Sequence, residues 1–293
     1  MANLKEIRTR ITSVKTTRQV TSAMKMVSAA KLKKAQDAIL QIRPYAEKLS
    51  ELLSSLGAAL DKNTDSVYTA QRDPEKVLIV LISSNRGLCG GFNSNITKLA
   101  ISIAKTTYNQ QLKSGNLDFL VIGKQGGKIL QSYHFEVHAE KNQLFENLDF
   151  DHVSIEVQSL MNDFVTGKYD RVELVYNKFI NAATQEQISE QFLPVLPATP
   201  DKKKRNNIDY IFEPSVEQIV EEMIPRSLKI QFYKALLDSH AAEHGARMTA
   251  MHKATDNATE LINELTLNFN KARQAAITNA ILEVTNGAEA LNG

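Results

Sequence analysis

The chain has 293 residues, of which 43% are hydrophobic and 23% charged; this is the composition of an ordinary folded protein, which excludes extended disorder and allows about two domains. A net charge of +2 conceals a basic beginning, since residues 1–35 carry nine Lys or Arg against one acid, Glu6. The longest apolar run, Val77 to Ile82, falls far short of the roughly 20 residues that cross a bilayer, and a single cysteine, Cys89, excludes an internal disulfide.

The opening MANLKEIRTR lacks the apolar core of a signal peptide, so a reducing compartment is expected. From Leu4 to Leu56, positions stepped alternately by three and four are apolar at twelve of sixteen places. That is the spacing of a coiled-coil seam, and it predicts an N-terminal helix over residues 1–60. The four polar seam positions, Arg18, Thr21, Lys25 and Ser28, are consecutive, and around them the apolar residues shift to Val20, Ala23, Val27 and Ala30. The shift predicts a register discontinuity where the helix turns another face to its neighbour. At 1.5 Å per residue the arm would reach about 80 Å, and Pro44 is expected to kink or interrupt it. Its positive charge suits an anionic partner, which leaves nucleic acid, lipid headgroups and acidic protein loops open.

Eight of the twelve glycines lie between Gly87 and Gly167, so turn formers crowd the middle and predict a compact insert over 75–200. KVLIVLIS, residues 76–83, is a continuous β-branched run expected of a strand buried on both faces. After the loop SNRGLCGGFNSN come a helical stretch and a strand from Phe119 to Gly123. A short helix from Lys128, a strand near Phe135 to His138, a helix near Val153 to Phe164 and the strands RVELVYNKF and QISEQFLPV follow. The alternation predicts a mostly parallel sheet with helices on both faces, a Rossmann-like α/β domain. Gly87, Gly90 and Gly91 are spaced G-x-x-G-G, which matches neither dinucleotide nor P-loop fingerprints, and Ile129 follows Lys128 where a P-loop requires Ser or Thr. Both loops read as tight structural turns, and Cys89 as a small packed residue.

A C-terminal helix is predicted over 215–290. Its seam runs from Leu237 through Ala241, His244, Met248, Met251, Thr255, Ala258, Ile262, Leu265, Phe269 and Ala272 to Ala276, and Pro225 is expected to disturb its start. His240, Glu243 and His244 spell the inverted zinc-peptidase signature H-x-x-E-H, but the arm offers neither a third ligand nor a cleft, so coincidence on an amphipathic helix is the reading. Met24, Met26, Met248 and Met251 supply a cluster of thioethers that reads as ordinary core packing, with a surface that meets several different neighbours in turn as the alternative. After Arg273 there is no further positive charge, while Ile277, Ile281, Leu282 and Val284 surround much of the helix; this tip is expected to sit inside another protein. With two arms flanking one insert, the expected packing is an intramolecular antiparallel coiled coil, and a parallel homodimer is the alternative.

The stretches KEIRTRITSVKTTRQVTSAMKMVSAAKLKKAQ, SSNRGLCGGFN and ARMTAMHKATDNATELINELTLNFNKARQAAITNAILEV closely resemble the gamma subunit family of F-type ATP synthases of bacterial type, in order from Lys5 to Val284. The resemblance implies a central rotor shaft inside a ring of three alpha and three beta subunits, coupling transmembrane proton flow to ATP synthesis there. On this view the chain has no catalytic residues, cofactor or metal of its own, and no nucleic-acid partner. It lies peripherally on the cytoplasmic face of the inner membrane and meets the epsilon subunit and the membrane c-ring. Carried over residue by residue, AMKMV implies that Met24 is a coupling contact with beta, ARMTAM implies the same for Arg247, and KARQAAIT for Gln274 and Thr278. Arg8, Arg10, Lys31, Lys33 and Lys34 would form a basic surface toward acidic loops of beta. IDYIFEP would place Tyr210 and Glu213 at the foot against the c-ring and epsilon. The cysteine-bearing regulatory insert of chloroplast relatives is missing, so thiol control is not expected. Two competing readings are a coiled-coil nucleic-acid binder, with binding that falls steeply with salt, and a nucleotide-dependent enzyme built on the insert, with saturable ATP binding.

Overall fold

The computed structural model describes residues 4–59, 67–195 and 216–292. Helix α1 spans Leu4–Ala59 and helix α6 spans Val216–Asn292; between them lie β1 (Val77–Ile82), α2 (Phe92–Thr106), α3 (Asn109–Ser114), β2 (Leu117–Ile122), α4 (Lys124–Ser132), β3 (Ala139–Glu140), a 3-10 turn (Asn142–Phe145), α5 (Phe150–Val165), β4 (Arg171–Phe179) and β5 (Gln185–Leu193). Contacts divide the chain into two units, Met1–Ser28 with Met248–Gly293, and Ala29–Arg247.

In the second unit the five strands are ordered β3-β2-β1-β4-β5. β1 pairs in parallel with β2 and β4, β2 pairs in parallel with β3, and β5 returns antiparallel along β4. The return is a hairpin whose turn is set by Asn181: its side-chain oxygen accepts from the backbone N–H of Ala183 and Thr184, each at 2.9 Å. All six residues of β1 are buried, as a central parallel strand requires. Val77, Ile79 and Leu81 face a core completed by Ile96, Ala100 and Ala104 of α2 and Leu130 of α4. Leu78, Val80 and Ile82 face the other core, closed by Val153, Val157, Leu160, Met161 and Phe164 of α5. The strand expected near Phe135 lies slightly later, at Ala139–Glu140; Phe135 instead packs edge-on against Phe119, centroids 5.6 Å apart.

Ile224, Leu228, Phe232, Ala235 and Leu236 of α6 are also part of the α5-side core. The C-terminal helix is thus structural wall for the sheet as well as partner for α1. In this unit Leu32, Ala35, Ile39 and Leu49 of α1 are buried, as are Leu237, Ala241 and His244 of α6. Lys31 and Lys34 act electrostatically on His240, while the Arg226 guanidinium lies 5.5 Å from the Tyr45 ring centre, so the helices run antiparallel. Both helices continue through their prolines, Pro44 and Pro225, without interruption. A proline removes one N–H and crowds the preceding turn; packing on either side, by Ile224 and Leu228 in the core, holds the α6 turn helical.

In the first unit the paired ends bury Thr21 and Ser28 on α1 and Met251, Ala258, Ile262 and Leu265 on α6. The expected register discontinuity is absent. The seam continues through its polar stretch, and Val20 and Val27, at 53% and 57% exposure, point outward. Small hydroxylated side chains make this workable. Thr21 Oγ1 donates to Arg18 O and lies 2.8 Å from Thr255 Oγ1, and Ser28 Oγ donates to Met24 O. Their polar atoms are satisfied at the interface, so apolarity is not needed there. Among the described residues no helix is long and apolar enough to cross a membrane.

Candidate functional site

The glycine-rich segment leaves β1 at Ser83 and enters α2 at Phe92. Its base is fixed by Asn93, whose side-chain oxygen accepts from the backbone N–H of Ser84 at 2.9 Å and whose amide donates to Ser84 Oγ and Cys89 Sγ. Ser84 Oγ is 2.6 Å from the Arg86 carbonyl. Cys89 is buried with Phe92 and Ala242, and burial pushes its thiol up from the ordinary range, which makes it a packed residue rather than a nucleophile. Between these anchors Leu88 sits at φ +64° and is 64% exposed.

The loop turns carbonyls, not N–H groups, toward α6. Arg247 Nη2 donates to the Arg86 carbonyl at 3.0 Å, and Nε and Nη2 reach the Gly87 carbonyl at 3.4 Å. Inward carbonyls repel phosphate, so this face of the loop is not an anion cradle. Arg247 Nη1 also meets Glu243 Oε1 at 2.7 Å, with both side chains less than a tenth exposed. Burial raises the Glu243 carboxyl and the Arg247 charge opposes it. Midway between Glu243 and Arg247, the hairpin tip approaches α6 at Gly245: a β-carbon there would lie 3.0 Å from the Ala182 carbonyl, which explains a lone glycine in this part of the helix.

The same guanidinium assigns the histidine protons. Arg247 Nη1 lies 3.3 Å from His244 Nδ1, and arginine has only donors, so Nδ1 accepts and the ring proton is on Nε2. His244 Nε2 then donates to His240 Nε2 at 3.1 Å, and His240, stacked on Phe145 at 5.9 Å, keeps its proton on Nδ1. In this arrangement His244 Nε2 has no lone pair for a metal and Glu243 is committed to Arg247, so the H-x-x-E-H residues act as a packed polar chain. Burial, then the charges of Lys31, Arg247 and Lys34, lower His240 to about 4; burial, then His240, Arg247 and Lys31, lower His244 to about 3. Between these values and the ordinary 6.5 the unfolded chain holds more protons than the folded one, so stability present above pH 6.5 is lost as pH falls toward 4. For His240 alone the loss is on the order of 3 kcal/mol. Urea midpoints between pH 7.5 and 4 should drop accordingly, and His240→Phe should flatten the slope; an unchanged slope would contradict neutral burial.

The family pattern described as ATP synthase matches residues 3–291. The ATP synthase gamma chain of Flavobacterium johnsoniae is 57% identical over 293 residues, covering the whole of both chains. Those of Cytophaga hutchinsonii and Trichlorobacter lovleyi are 50% and 40% identical, again over the whole of both. The chain belongs to the ATP synthase gamma chain family. Among solved structures, the rotor of Euglena gracilis mitochondrial ATP synthase matches with TM-score 0.62 at 21% identity, covering 94% of this chain and 98% of that one. The central stalk of the Tetrahymena thermophila enzyme gives 0.56 at 24%, covering 80% and 99%. These two likenesses speak to the fold.

Against the gamma-family expectations, the carried-over residues fall into two kinds. Gln274 and Thr278 are exposed on α6 beyond Ala272, where seam burial ends, and Met24 is half-buried on α1. Arg247 is internal, at 6% exposure. Arg8 and Arg10 in the first unit and Lys31, Lys33 and Lys34 in the second are all exposed. Tyr210 and Glu213 lie outside the described residues. Met251 is buried, Met248 half-buried, and Met26 is 66% exposed. The sequence reading did not foresee the Arg247 contacts with the loop or the role of Asn93. A second apolar row on α6, Ile224, Leu228, Phe232 and Leu236 spaced by four, was the available sign that this helix also packs on the sheet.

Proposed function

We propose that the chain is the central rotor shaft of an F-type ATP synthase, coupling proton flow to ATP synthesis in a ring of three alpha and three beta subunits. The observation that carries this reading is the end of the helix pair. Seam burial stops near Ala272, yet Ile277, Ile281, Leu282 and Val284 beyond it are 52% to 73% exposed. An apolar tip of this kind is covered in its working state. Full-length identity to chains named ATP synthase gamma chain supports alpha and beta as what covers it.

In this reading the chain transmits torque and carries out no bond chemistry. A lopsided helix pair offers different contacts to equivalent catalytic sites, and each site shifts toward the conformation that its contact favours. The exposed cations Arg8, Arg10, Lys31, Lys33 and Lys34 face acidic loops of beta, and Met24, Gln274 and Thr278 contact beta directly. Epsilon and the membrane c-ring dock at the foot near Tyr210 and Glu213, which holds the chain peripherally at the cytoplasmic face of the inner membrane.

The test is reconstitution with purified alpha and beta, followed by ATPase assay, and with the membrane sector for proton pumping. Gln274→Ala is expected to leave the free energy of urea unfolding unchanged within about 0.5 kcal/mol because the side chain is exposed. It should lower protons pumped per ATP by roughly fivefold, the scale of a 1 kcal/mol coupling term. No association with alpha and beta, or equal losses of stability and coupling, would defeat the reading.

A further inference from the structure

We infer that Arg247 is a positioning residue: its guanidinium, braced by Glu243, holds the loop of residues 84–91 so that Leu88 is presented outward in one fixed conformation. The inference rests on the rotor reading and assigns this arginine an internal role in it. Arg247 bonds the carbonyls of both Arg86 and Gly87, the residues immediately before Leu88. Glu243, at 2.7 Å, fixes the guanidinium from within α6. On the other side of Leu88, Cys89 is locked by Asn93 and by packing against Phe92 and Ala242. A leucine at φ +64° is in a region that L side chains disfavour, and at 64% exposure burial of its own side chain does not hold it there. Such a conformation persists where the surroundings impose it, and the surroundings here are the two clamps on either side. The fork geometry matters, because only a guanidinium meets two carbonyls and a carboxylate together.

The test uses the full chain and its reconstituted complex. Arg247→Lys keeps a cation for Glu243 but loses the fork. Hydrogen exchange at amides 86–90 is expected to rise about tenfold or more, and protons pumped per ATP to fall by roughly twofold or more. Adding Gly87→Ala then gives a second reading. A β-carbon at Gly87 meets nothing within 4 Å, so it fits the held loop while restricting the released one. It should restore part of the protection and part of the coupling to the Arg247→Lys chain. A fall in pumping with unchanged loop exchange would overturn the inference in favour of direct contact between Arg247 and a partner. Raised exchange with unchanged pumping, or no rescue by Gly87→Ala, would overturn it as well. If the wild-type chain drives no pumping, the rotor reading itself falls and the inference with it.

Discussion

Arg247→Ala is expected to destabilise the chain by about 3 to 5 kcal/mol, although the change is a single truncation on a helix whose other coupling candidates are exposed. The reason is the company that Arg247 keeps. Removing the guanidinium leaves Glu243 buried without its counter-charge and strips the Arg86 and Gly87 carbonyls and His244 Nδ1 of a donor. An uncompensated buried charge costs far more than the pair contributes when intact. Replacing both partners by apolar residues of similar volume, Arg247→Met with Glu243→Leu, should therefore recover much of the loss. Urea unfolding at pH 7.5 checks both. A midpoint for Arg247→Ala equal to that of the parent would mean that the buried pair does not form in solution. The result also bears on any measurement of coupling at this position, since Arg247→Ala conflates folding with torque where Gln274→Ala does not.

Phe232→Ala should cost a similar amount, about 3 to 5 kcal/mol. Phe232 is 1% exposed in the core that joins α6 to the sheet, and its ring meets Phe192 of β5 edge-on with centroids 5.6 Å apart. Truncation removes transfer energy and leaves a hole next to a cavity of about 190 Å³ that Phe232 already lines. Leu267→Ala, 55% exposed on the same helix, is the control and should change stability by less than about 0.5 kcal/mol. Equal effects from the two substitutions would show that α6 is not part of the sheet's core.

These two positions mark where the sequence was readable and where it was not. The parallel sheet followed from runs such as VLIVLI, because strands covered on both faces leave no polar alternation to misread. The heptad spacing of α6 likewise located its seam, with Ala241, Met251, Ala258, Ile262 and Leu265 buried at the expected places. The same reasoning failed on α1 between Arg18 and Ser28, because it equated seam with apolarity. Thr21 pairs its hydroxyl with Thr255, an arrangement that residue counting scores as a break. Arg247 was legible as a candidate but not as a buried one. Its carbonyl partners are 160 and 161 positions away in the chain, and backbone acceptors leave no mark in side-chain patterns. The histidine pair was rightly not taken for a metal site, but the spacing gave no sign of what it does instead, which is to share one hydrogen bond between two neutral rings.

The central claim is that the two ends of the chain form one shaft and turn as a body. Thr21 and Thr255, with hydroxyl oxygens 2.8 Å apart, allow it to be tested directly. A Thr21→Cys, Thr255→Cys chain is assembled with alpha and beta and labelled for rotation through Lys113→Cys, which is exposed while Cys89 is buried. The account predicts that oxidation bridges the seam and that ATP-driven, one-directional rotation continues at the same rate with and without reductant. Failure of the bridge to form, or rotation that stops when it forms and resumes when it is reduced, would contradict it.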